Sequence, residues 1–185
     1  MTQGTWYPPT TYEPAAGTGL LLVNPPFVAS TMHNTNSGQR GYAAIGLHMP
    51  KTEHNIGSAL RGAGCYEASL IAVSGKRYRP SCTDTQKQYR HTPLIHCDNL
   101  HDVIPYGCVP VAVDLIDNAQ SLVNYKHPER AFYIFGPEDG TLNASVLSWC
   151  RDVIYIPTRY CMNLAATVNV VLYDRMIKNA GGCHA

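Results

Sequence analysis

Two loops late in the chain carry polar residues at positions where an α/β protein would bind a ligand. The apolar run 131–135 leads into a Gly/Pro-containing loop with Glu138, and the run 152–156 leads into a second loop with Asn163. Each run has the length of a buried strand, and helical sequence follows each loop. In open α/β sheets, ligands bind at the carboxyl ends of strands. We therefore expect Glu138 and Asn163 to lie at a binding site.

The two loops contain glycine, proline and backbone amides but few charged side chains. This composition suits a ligand that is held by main-chain hydrogen bonds and apolar contacts. A dinucleotide fold needs G-x-G-x-x-G directly after its first strand, and Gly57, Gly62 and Gly64 do not have that spacing. The P-loop lysine motif and the G-x-S-x-G nucleophile motif are also absent.

A repeated strand–helix alternation supplies the elements that would position these loops. Runs that predict strands lie at 42–47, 68–73, 94–97, 109–115, 131–135 and 152–156. Helical periodicity lies at 55–65 and 164–178, and shorter helical segments are predicted at 99–104 and 118–122. This alternation predicts an α/β fold with a mostly parallel sheet flanked by helices.

Each of the two long helices is predicted to have one apolar face. Asn55 is a natural N-cap for the first helix, whose apolar stripe is Ile56, Ala59, Leu60 and Ala63. The second helix is expected to bury Leu164, Val168, Val171, Leu172 and Met176. On periodicity alone, Arg61 is a solvated or salt-bridged residue of the first helix.

The composition is that of an ordinary globular domain. The chain has 185 residues, of which 45% are hydrophobic, and its formal net charge is +1. Residues 1–40 are rich in Pro, Thr, Gly and Asn and are predicted to form an irregular N-terminal arm, followed by a single domain over 41–180. The arm either packs on the domain or a neighbouring subunit, or it contacts RNA.

The cysteines and histidines do not predict a metal site. The seven cysteines are widely spread, with no C-x-x-C pair and no zinc-ligand spacing. Our interpretation is free, mostly buried thiols in a reducing cytosol. No apolar run reaches the ~18 residues of a membrane helix, and the first residues do not resemble a secretory signal. We therefore expect a cytoplasmic protein with no metal and no membrane contact.

The densest basic runs lie at 76–79 and 86–90, and each contains a tyrosine. Lys76, Arg77, Arg79 and Arg90 could bind phosphates while Tyr78 and Tyr89 stack on bases. A solvated loop explains the same residues equally well. Because the whole chain has no basic surplus, any contact with nucleic acid must depend on such a local cluster.

Three sequence blocks carry a family resemblance. They are Asn55-x-Gly57-x-x-x-Arg61-x-Ala63, then Phe135-Gly136-Pro137-Glu138-x-x-x-Leu142, and then Ile156-Pro157 followed by Met162-Asn163-Leu164 and a Val/Leu-rich helix. Each block alone is weak, but all three occur in the same order on compatible elements. Over residues 42–178 the chain resembles the SPOUT superfamily of RNA methyltransferases, in particular the TrmH-like (SpoU) 2'-O-ribose branch.

The resemblance implies a fold and a cofactor that the pattern alone does not show. Residues 131–178 would contain a trefoil knot, an exception to the rule that chains are unknotted. S-adenosylmethionine would bind in the knot. The protein would be a homodimer whose knot region forms much of the interface and whose site draws on both subunits. The implied cofactor contacts are Leu115, Gly136, Ile156, Cys161, Met162 and Leu164.

The resemblance also implies catalytic positions. Arg61 takes the place of the family's catalytic arginine and Asn55 that of its partner, while Glu138 and Asn163 match the polar residues of the later blocks. Arg61 either removes the proton of the ribose hydroxyl or, because a guanidinium stays charged, binds the adjacent phosphate. Glu138 either anchors its loop or binds the ribose or Arg61. Asn163 is expected to cap the last helix as well.

Two departures from the family pattern affect the implied cofactor site. Cys161 stands where serine is common, and the loop that contains Arg159 and Tyr160 is shorter than usual. The predicted function is S-adenosylmethionine-dependent 2'-O-methylation of a ribose in RNA, with tRNA favoured over rRNA. The alternatives are an rRNA substrate, a non-catalytic RNA-binding module with the same fold, and a small-molecule α/β enzyme.

Overall fold

The computed structural model describes residues 41–75, 78–79 and 83–181, which are centred on one parallel sheet. Its seven strands have the order β3-β2-β1-β6-β4-β7-β5, and neighbouring strands pair in parallel throughout. The strands are β1 Tyr42–His48, β2 Leu70–Ser74, β3 Leu94–Cys97, β4 Val109–Val113, β5 Gln120–Ser121, β6 Arg130–Phe135 and β7 Asp152–Tyr155. The predicted α/β fold with a parallel sheet is confirmed.

Helices cover both faces of the sheet. The helices are α1 Glu53–Cys65, α2 Ala144–Leu147 and α3 Leu164–Gly181, and short 3-10 turns lie at Gln88–Arg90, Leu100–Val103 and Leu122–Asn124. α1 and α3 pack on each other and on the face that carries Ile45 and Tyr133. Leu100 and Val146, from the second 3-10 turn and α2, pack on the opposite face. The central strands are buried on both faces, as parallel strands usually are.

The first helix begins earlier than the sequence predicts. Its N-cap is Thr52, whose Oγ1 accepts a hydrogen bond from the backbone N–H of Asn55 at 3.3 Å. The prediction of Asn55 as the N-cap is wrong. Thr52 satisfies one of the free N–H groups of the first turn, and the Asn55 side chain is available for a different contact. The predicted apolar stripe of Ile56, Ala59, Leu60 and Ala63 is fully buried.

The short helix predicted over 118–122 does not form. Asn118 has a positive φ of 68°, and the following residues Gln120–Ser121 form β5. Gln120 pairs with Ile154 and Ser121 with Tyr155 at the edge of the sheet. Pairing with β7 provides hydrogen bonds that a helix of one turn would have to supply from within.

The last helix buries an arginine in addition to its apolar face. Met176 was expected in the core but is 47% exposed, whereas Arg175 is only 5% exposed. The Arg175 guanidinium donates to the backbone carbonyls of Pro128 and Glu129 and to the Tyr133 hydroxyl. These bonds satisfy the buried charge, which would otherwise be costly.

A buried polar chain continues from this arginine. The His127 ring lies between the Tyr133 hydroxyl, 2.6 Å from Nδ1, and the Asp174 carboxylate, 2.9 Å from Nε2. Lys178 forms an ion pair with Asp174 at 2.6 Å and donates to the backbone carbonyls of Leu122 and Tyr125. α3 is therefore fixed to the segment before β6 by hydrogen bonds as well as by apolar packing.

Several expectations concern features outside this description. The irregular arm over 1–40 lies outside the described residues, and the trefoil knot stays a prediction. In the described part of the chain, no helix is long and apolar enough to cross a membrane. The cysteines described there are free, but none is fully buried: Cys65 and Cys161 are exposed, and Cys97, Cys108 and Cys150 are half-buried. The expectation of mostly buried thiols is therefore wrong for these residues.

Candidate active site

A pocket opens at the carboxyl ends of β4, β6 and β7. The last residues of these strands, Val113, Phe135 and Tyr155, all line it. The volume of the pocket is about 380 Å³. Because parallel strands end at the same edge of a sheet, the loops that follow the three strands surround one space. The two loops that the sequence predicts to bind a ligand, after β6 and after β7, are among these loops.

All six residues expected to contact a cofactor line this pocket. They are Leu115 after β4, Gly136 after β6, and Ile156, Cys161, Met162 and Leu164 from the segment between β7 and the first turn of α3. Leu115 is 65% exposed, so an apolar side chain is available to a ligand there. The structure brings the six residues together, while their contact with a cofactor stays a prediction.

Glu138 is the centre of a hydrogen-bond cluster beside the pocket. One carboxylate oxygen accepts a short hydrogen bond from the Asn55 side chain, and the other accepts from the backbone N–H of Lys51 at 2.9 Å. Nδ2 of Asn163 donates to Oδ1 of Asn55 at 3.0 Å. Three of the four predicted catalytic residues, which are far apart in sequence, are thus linked directly. We call Asn55, Glu138 and Asn163 the amide–carboxylate cluster.

Asn163 also caps α3. Its Oδ1 accepts from the backbone N–H of Ala165 at 2.9 Å, and its backbone oxygen accepts from the backbone N–H of Thr167 at 2.9 Å. An asparagine at this position satisfies N–H groups that have no partner inside the helix. Since the same side chain also donates to Asn55, the start of α3 is fixed to the first turn of α1.

The loop after β6 is held to the segment before α1 by two adjacent acidic residues. Glu138 accepts from the Lys51 backbone, and Asp139 forms an ion pair with the Lys51 ammonium group. The hydrogen bond from Lys51 lowers the pKa of Asp139. Of the roles predicted for Glu138, these contacts favour anchoring of the loop.

Arg61 stands apart from the other predicted catalytic residues. It lies on α1 with its side chain exposed, and it does not line the pocket. Within the described part of the chain it forms no hydrogen bond or ion pair. The Arg61 side chain is therefore directed to solvent in the part of the chain that the structure describes.

The basic segment contains both exposed and buried residues. Arg79 and Arg90 are exposed, as phosphate binding requires, whereas Lys76 and Arg77 lie outside the described residues. Tyr78 is only 8% exposed and packs in the core, with its ring 6.2 Å from that of Tyr89. The hypothesis that Tyr78 stacks on bases is therefore wrong, because its ring supports the packing of this segment.

Two features of the pocket were not singled out from the sequence as parts of the site. Asp114 follows β4, and its carboxylate accepts from the backbone N–H groups of Leu115 at 2.7 Å and Leu142 at 2.5 Å. Arg159 and Tyr160 also line the pocket, and Tyr160 is 73% exposed. The available signal for Asp114 was an acidic residue near the carboxyl end of the predicted strand 109–115.

The pocket has the properties of a small-molecule site. Such sites are typically concave, mostly apolar and about 300–1,000 Å³ in volume, with a few polar groups that fix orientation. Here the walls combine aliphatic side chains, the Gly136 backbone and the two carboxylates Asp114 and Glu138. A ligand with an apolar or aromatic part and a few polar groups would fit this set of residues.

A family model accounts for this arrangement of fold and pocket. The model of the SpoU rRNA Methylase family matches residues 43–173, which is more than half of the chain. The chain therefore belongs to the SpoU rRNA methylase family. The predicted resemblance to SPOUT RNA methyltransferases of the TrmH-like branch is confirmed.

Solved structures show the same fold at low sequence identity. The SpoU methyltransferase AviRb from Streptomyces viridochromogenes, solved in complex with AdoMet, is 18% identical, with a TM-score of 0.69 over 77% of this chain and 62% of AviRb. A TrmH/SpoU tRNA modifying enzyme from A. aeolicus is 15% identical, with a TM-score of 0.69 over 78% of this chain and 79% of that protein. An RNA 2'-O ribose methyltransferase is 16% identical, with a TM-score of 0.67 over 82% of this chain and 62% of that one.

This chain thus spans less than two thirds of the length of AviRb. A comparison with curated proteins found no match. The family and the SPOUT-type fold follow from these comparisons.

Proposed function

We propose that this chain is an S-adenosylmethionine-dependent methyltransferase that modifies the 2'-hydroxyl of a ribose in RNA. The observation that carries the proposal is the convergence of three strand ends on one pocket beside the amide–carboxylate cluster, in a chain of a methylase family. The AdoMet-bound AviRb and the 2'-O ribose methyltransferase of the same fold support the cofactor and the position of methylation.

The pocket residues fit S-adenosylmethionine. Leu115, Ile156 and Leu164 offer apolar surface for the adenosine part, and the loop backbones at Gly136 offer hydrogen-bonding groups. When bound, S-adenosylmethionine supplies a methyl group on a positively charged sulfur, which an oxygen nucleophile can attack. The anchored loops beside the pocket are proposed to hold the bound cofactor in one position.

The amide–carboxylate cluster is proposed to keep the pocket in its binding shape. It ties together the loop after β6, the first turn of α1 and the start of α3, and two of these segments line the pocket. A transfer reaction is fast only when the reacting atoms are held close, at about 3–3.5 Å, and in line. Fixing the loops contributes to that alignment.

Arg61 is proposed to bind the phosphate beside the target ribose. A guanidinium stays protonated at neutral pH and presents a planar set of donors that matches phosphate oxygens. The proton of the ribose hydroxyl would then leave to that phosphate or to water. Because Arg61 does not line the pocket of its own protomer, we propose a homodimer in which each site draws on both subunits.

The RNA substrate is proposed to be tRNA. The family name refers to rRNA, whereas the A. aeolicus relative is a tRNA modifying enzyme and another protein of this fold was studied for methylation of C/U34 on tRNA. The exposed Arg79 and Arg90 provide local positive charge for the RNA backbone. The proposal places the protein in the cytoplasm, where its RNA substrate would be found.

The proposal is tested by mass spectrometry of nucleosides from RNA with and without this protein. Total RNA is separated into tRNA and rRNA fractions, and each is digested and compared. We expect one 2'-O-methyl nucleoside that is present in tRNA only when the protein is present. The same change in the rRNA fraction would support the rRNA alternative, and no change in either fraction would contradict the catalytic proposal.

The variant Arg61→Lys separates binding from catalysis. Lysine keeps the charge but cannot form the planar two-point contact with a phosphate. We expect methyl transfer to be lost while S-adenosylmethionine binding, measured by calorimetry, is retained. Retained turnover, or loss of cofactor binding, would contradict the proposed position of Arg61. If the wild-type chain itself does not bind S-adenosylmethionine, the non-catalytic RNA-binding module becomes the better explanation.

A further inference from the structure

Arg159 is the only cationic side chain among the described residues that line the pocket. It is exposed and forms no hydrogen bond or ion pair with another residue that the structure describes. The carbon atom at the centre of its guanidinium lies 5.3 Å from the centre of the Tyr160 ring. A guanidinium that rests on an aromatic ring still has its in-plane N–H donors free. A two-point donor is therefore available at the pocket.

The loop that carries Arg159 is locally ordered by its own contacts. The Thr158 hydroxyl donates to the backbone carbonyl of Tyr160 at 2.9 Å, which closes the chain around Arg159. Thr158, Arg159 and Tyr160 all line the pocket. The guanidinium is thus attached to a tight turn at the pocket wall.

The acidic groups of the pocket already have donors. Both oxygens of Asp114 accept from backbone N–H groups, and both oxygens of Glu138 accept from Asn55 and the Lys51 backbone. An anionic group of a ligand would be repelled by these carboxylates and attracted by the positive charge of Arg159. Among the described charged side chains that line the pocket, Arg159 alone offers a favourable partner for an anion.

We propose that Arg159 binds the carboxylate at the methionine end of S-adenosylmethionine, with Tyr160 supporting the guanidinium. This inference rests on the proposed function, which supplies the ligand. The hydrogen bonds of an Arg–carboxylate pair are short, charge-assisted and often bidentate, so they contribute to both the affinity and the orientation of the ligand. Arg159 is then a specificity-determining residue, which selects a methyl donor that carries a carboxylate.

The test compares two ligands that differ in this carboxylate. Binding of S-adenosylmethionine and of decarboxylated S-adenosylmethionine to the full chain is measured by calorimetry for the wild type and Arg159→Gln. The wild type should bind the complete ligand about tenfold more tightly, as expected when one charge-assisted contact is lost. In Arg159→Gln the two affinities should become equal, because only the complete ligand loses a contact.

Three controls accompany this comparison. Arg151→Gln changes an arginine that is also exposed but does not line the pocket, and it should keep the preference of the wild type. Thermal unfolding of each variant shows that the fold is intact. RNA affinity of Arg159→Gln, measured by filter binding, should equal that of the wild type, since the proposed contact is with the methyl donor.

Three results would overturn the inference. If Arg159→Gln weakens both ligands equally or neither, Arg159 does not recognise the carboxylate, although the proposed function stands. If the variant loses RNA affinity and keeps the ligand preference, its partner is an RNA phosphate instead. If the wild type binds neither ligand, the proposed function fails together with the inference.

Discussion

Glu138 shows how one side chain can serve the fold and the site together. Its two oxygens accept hydrogen bonds from the Asn55 amide and from the Lys51 backbone, and its own loop lines the pocket. Both donors are N–H groups, so each oxygen must act as an acceptor. A carboxylate is the only side-chain group of this shape that accepts at both positions.

We predict that Glu138→Gln loosens this loop. The amide replaces one acceptor oxygen by an NH₂ donor. This donor then faces another donor, either the Asn55 side-chain amide or the Lys51 backbone N–H, and no hydrogen bond forms between them. The free energy of unfolding should fall by about 1 kcal/mol, the usual effect of one unpaired group in a partly buried contact. Urea denaturation measures this change, and calorimetry should show weaker binding of S-adenosylmethionine.

Asp139→Asn is the matched control for this prediction. The residue is adjacent, and its carboxylate pairs with the Lys51 ammonium group at the surface, where ion pairs contribute little. It should leave both the unfolding curve and the cofactor affinity unchanged. Equal effects of the two substitutions would mean that stability and cofactor affinity depend on the negative charge of this loop. The specific hydrogen bonds of Glu138 would then not be the cause.

At the scale of elements, a chain of hydrogen bonds attaches α3 to β6 and to the segment before it. Each group in this chain can be assigned as either donor or acceptor without conflict. Arg175 donates to the Tyr133 hydroxyl, which can donate to Nδ1 of His127, whose Nε2–H can donate to Asp174. This order of donors and acceptors requires the His127 ring to be neutral, because Nδ1 must accept a hydrogen bond. Burial lowers the pKa of His127 and raises that of Tyr133 to about 12, so both groups are uncharged at neutral pH.

We predict that this helix attachment makes the protein less stable in mild acid. The pKa of His127 is lower in the folded state than its unfolded value of about 6.5, so the unfolded chain takes up the proton first. The contribution of His127 is complete above that pH and is lost as the pH falls towards the folded-state pKa. Urea denaturation at pH 7.5 and pH 5.5 measures the loss.

The variant His127→Gln isolates this contribution. Glutamine can donate and accept but does not titrate, so its stability should fall less between the two pH values. His48, whose pKa burial also lowers, is changed to Gln in a parallel series, because it adds its own dependence to the wild-type curve. If His127→Gln loses as much stability as the wild type, another group is responsible.

At the scale of the whole molecule, the exposed Arg61 and the pocket are separate parts of one proposed site. In a homodimer with twofold symmetry, both subunits use the same surface at the interface. Arg61 of each subunit would then lie beside the pocket of the other subunit, which gives two equivalent sites. In the proposed dimer, activity would depend on assembly, because one subunit would supply Arg61 and the other the pocket.

Mixing two inactive variants tests this assembly. Arg61→Ala removes the guanidinium, and Gly136→Trp adds bulk to the pocket wall. A mixed dimer would contain one site with Arg61 from one subunit and an intact pocket from the other, so random mixing should restore about a quarter of the wild-type activity. Methyl transfer to RNA after mixing and refolding together measures the recovery.

The control mixes each variant with itself. Neither should recover activity, since every site then lacks the same part. If the mixture of the two variants also remains inactive while dimers form, Arg61 and the pocket act within one subunit, and the shared-site proposal is wrong.

The sequence by itself determined the fold class and the place of the pocket. Continuous apolar runs such as 131–135 predict strands buried on both faces, and the helices between them require parallel pairing. Parallel strands gather their following loops at one edge, which predicts that the loop after 131–135 and the loop after 152–156 border one site, as they do in the pocket. The strands can be predicted from local patterns of apolar residues, and the place of the pocket follows from a general rule for parallel sheets.

Contacts between distant segments were decided only by the tertiary structure. Local pattern assigned Asn55 to a helix cap, but its side chain contacts Glu138 and Asn163, while Thr52 provides the cap. Likewise, periodicity could not show that Arg175 would be buried, because its charge is tolerated only where the carbonyls of the segment before β6 meet it. Sequence pattern reports which side chains prefer burial, whereas the partners of a polar group depend on where the folded backbone places its donors and acceptors.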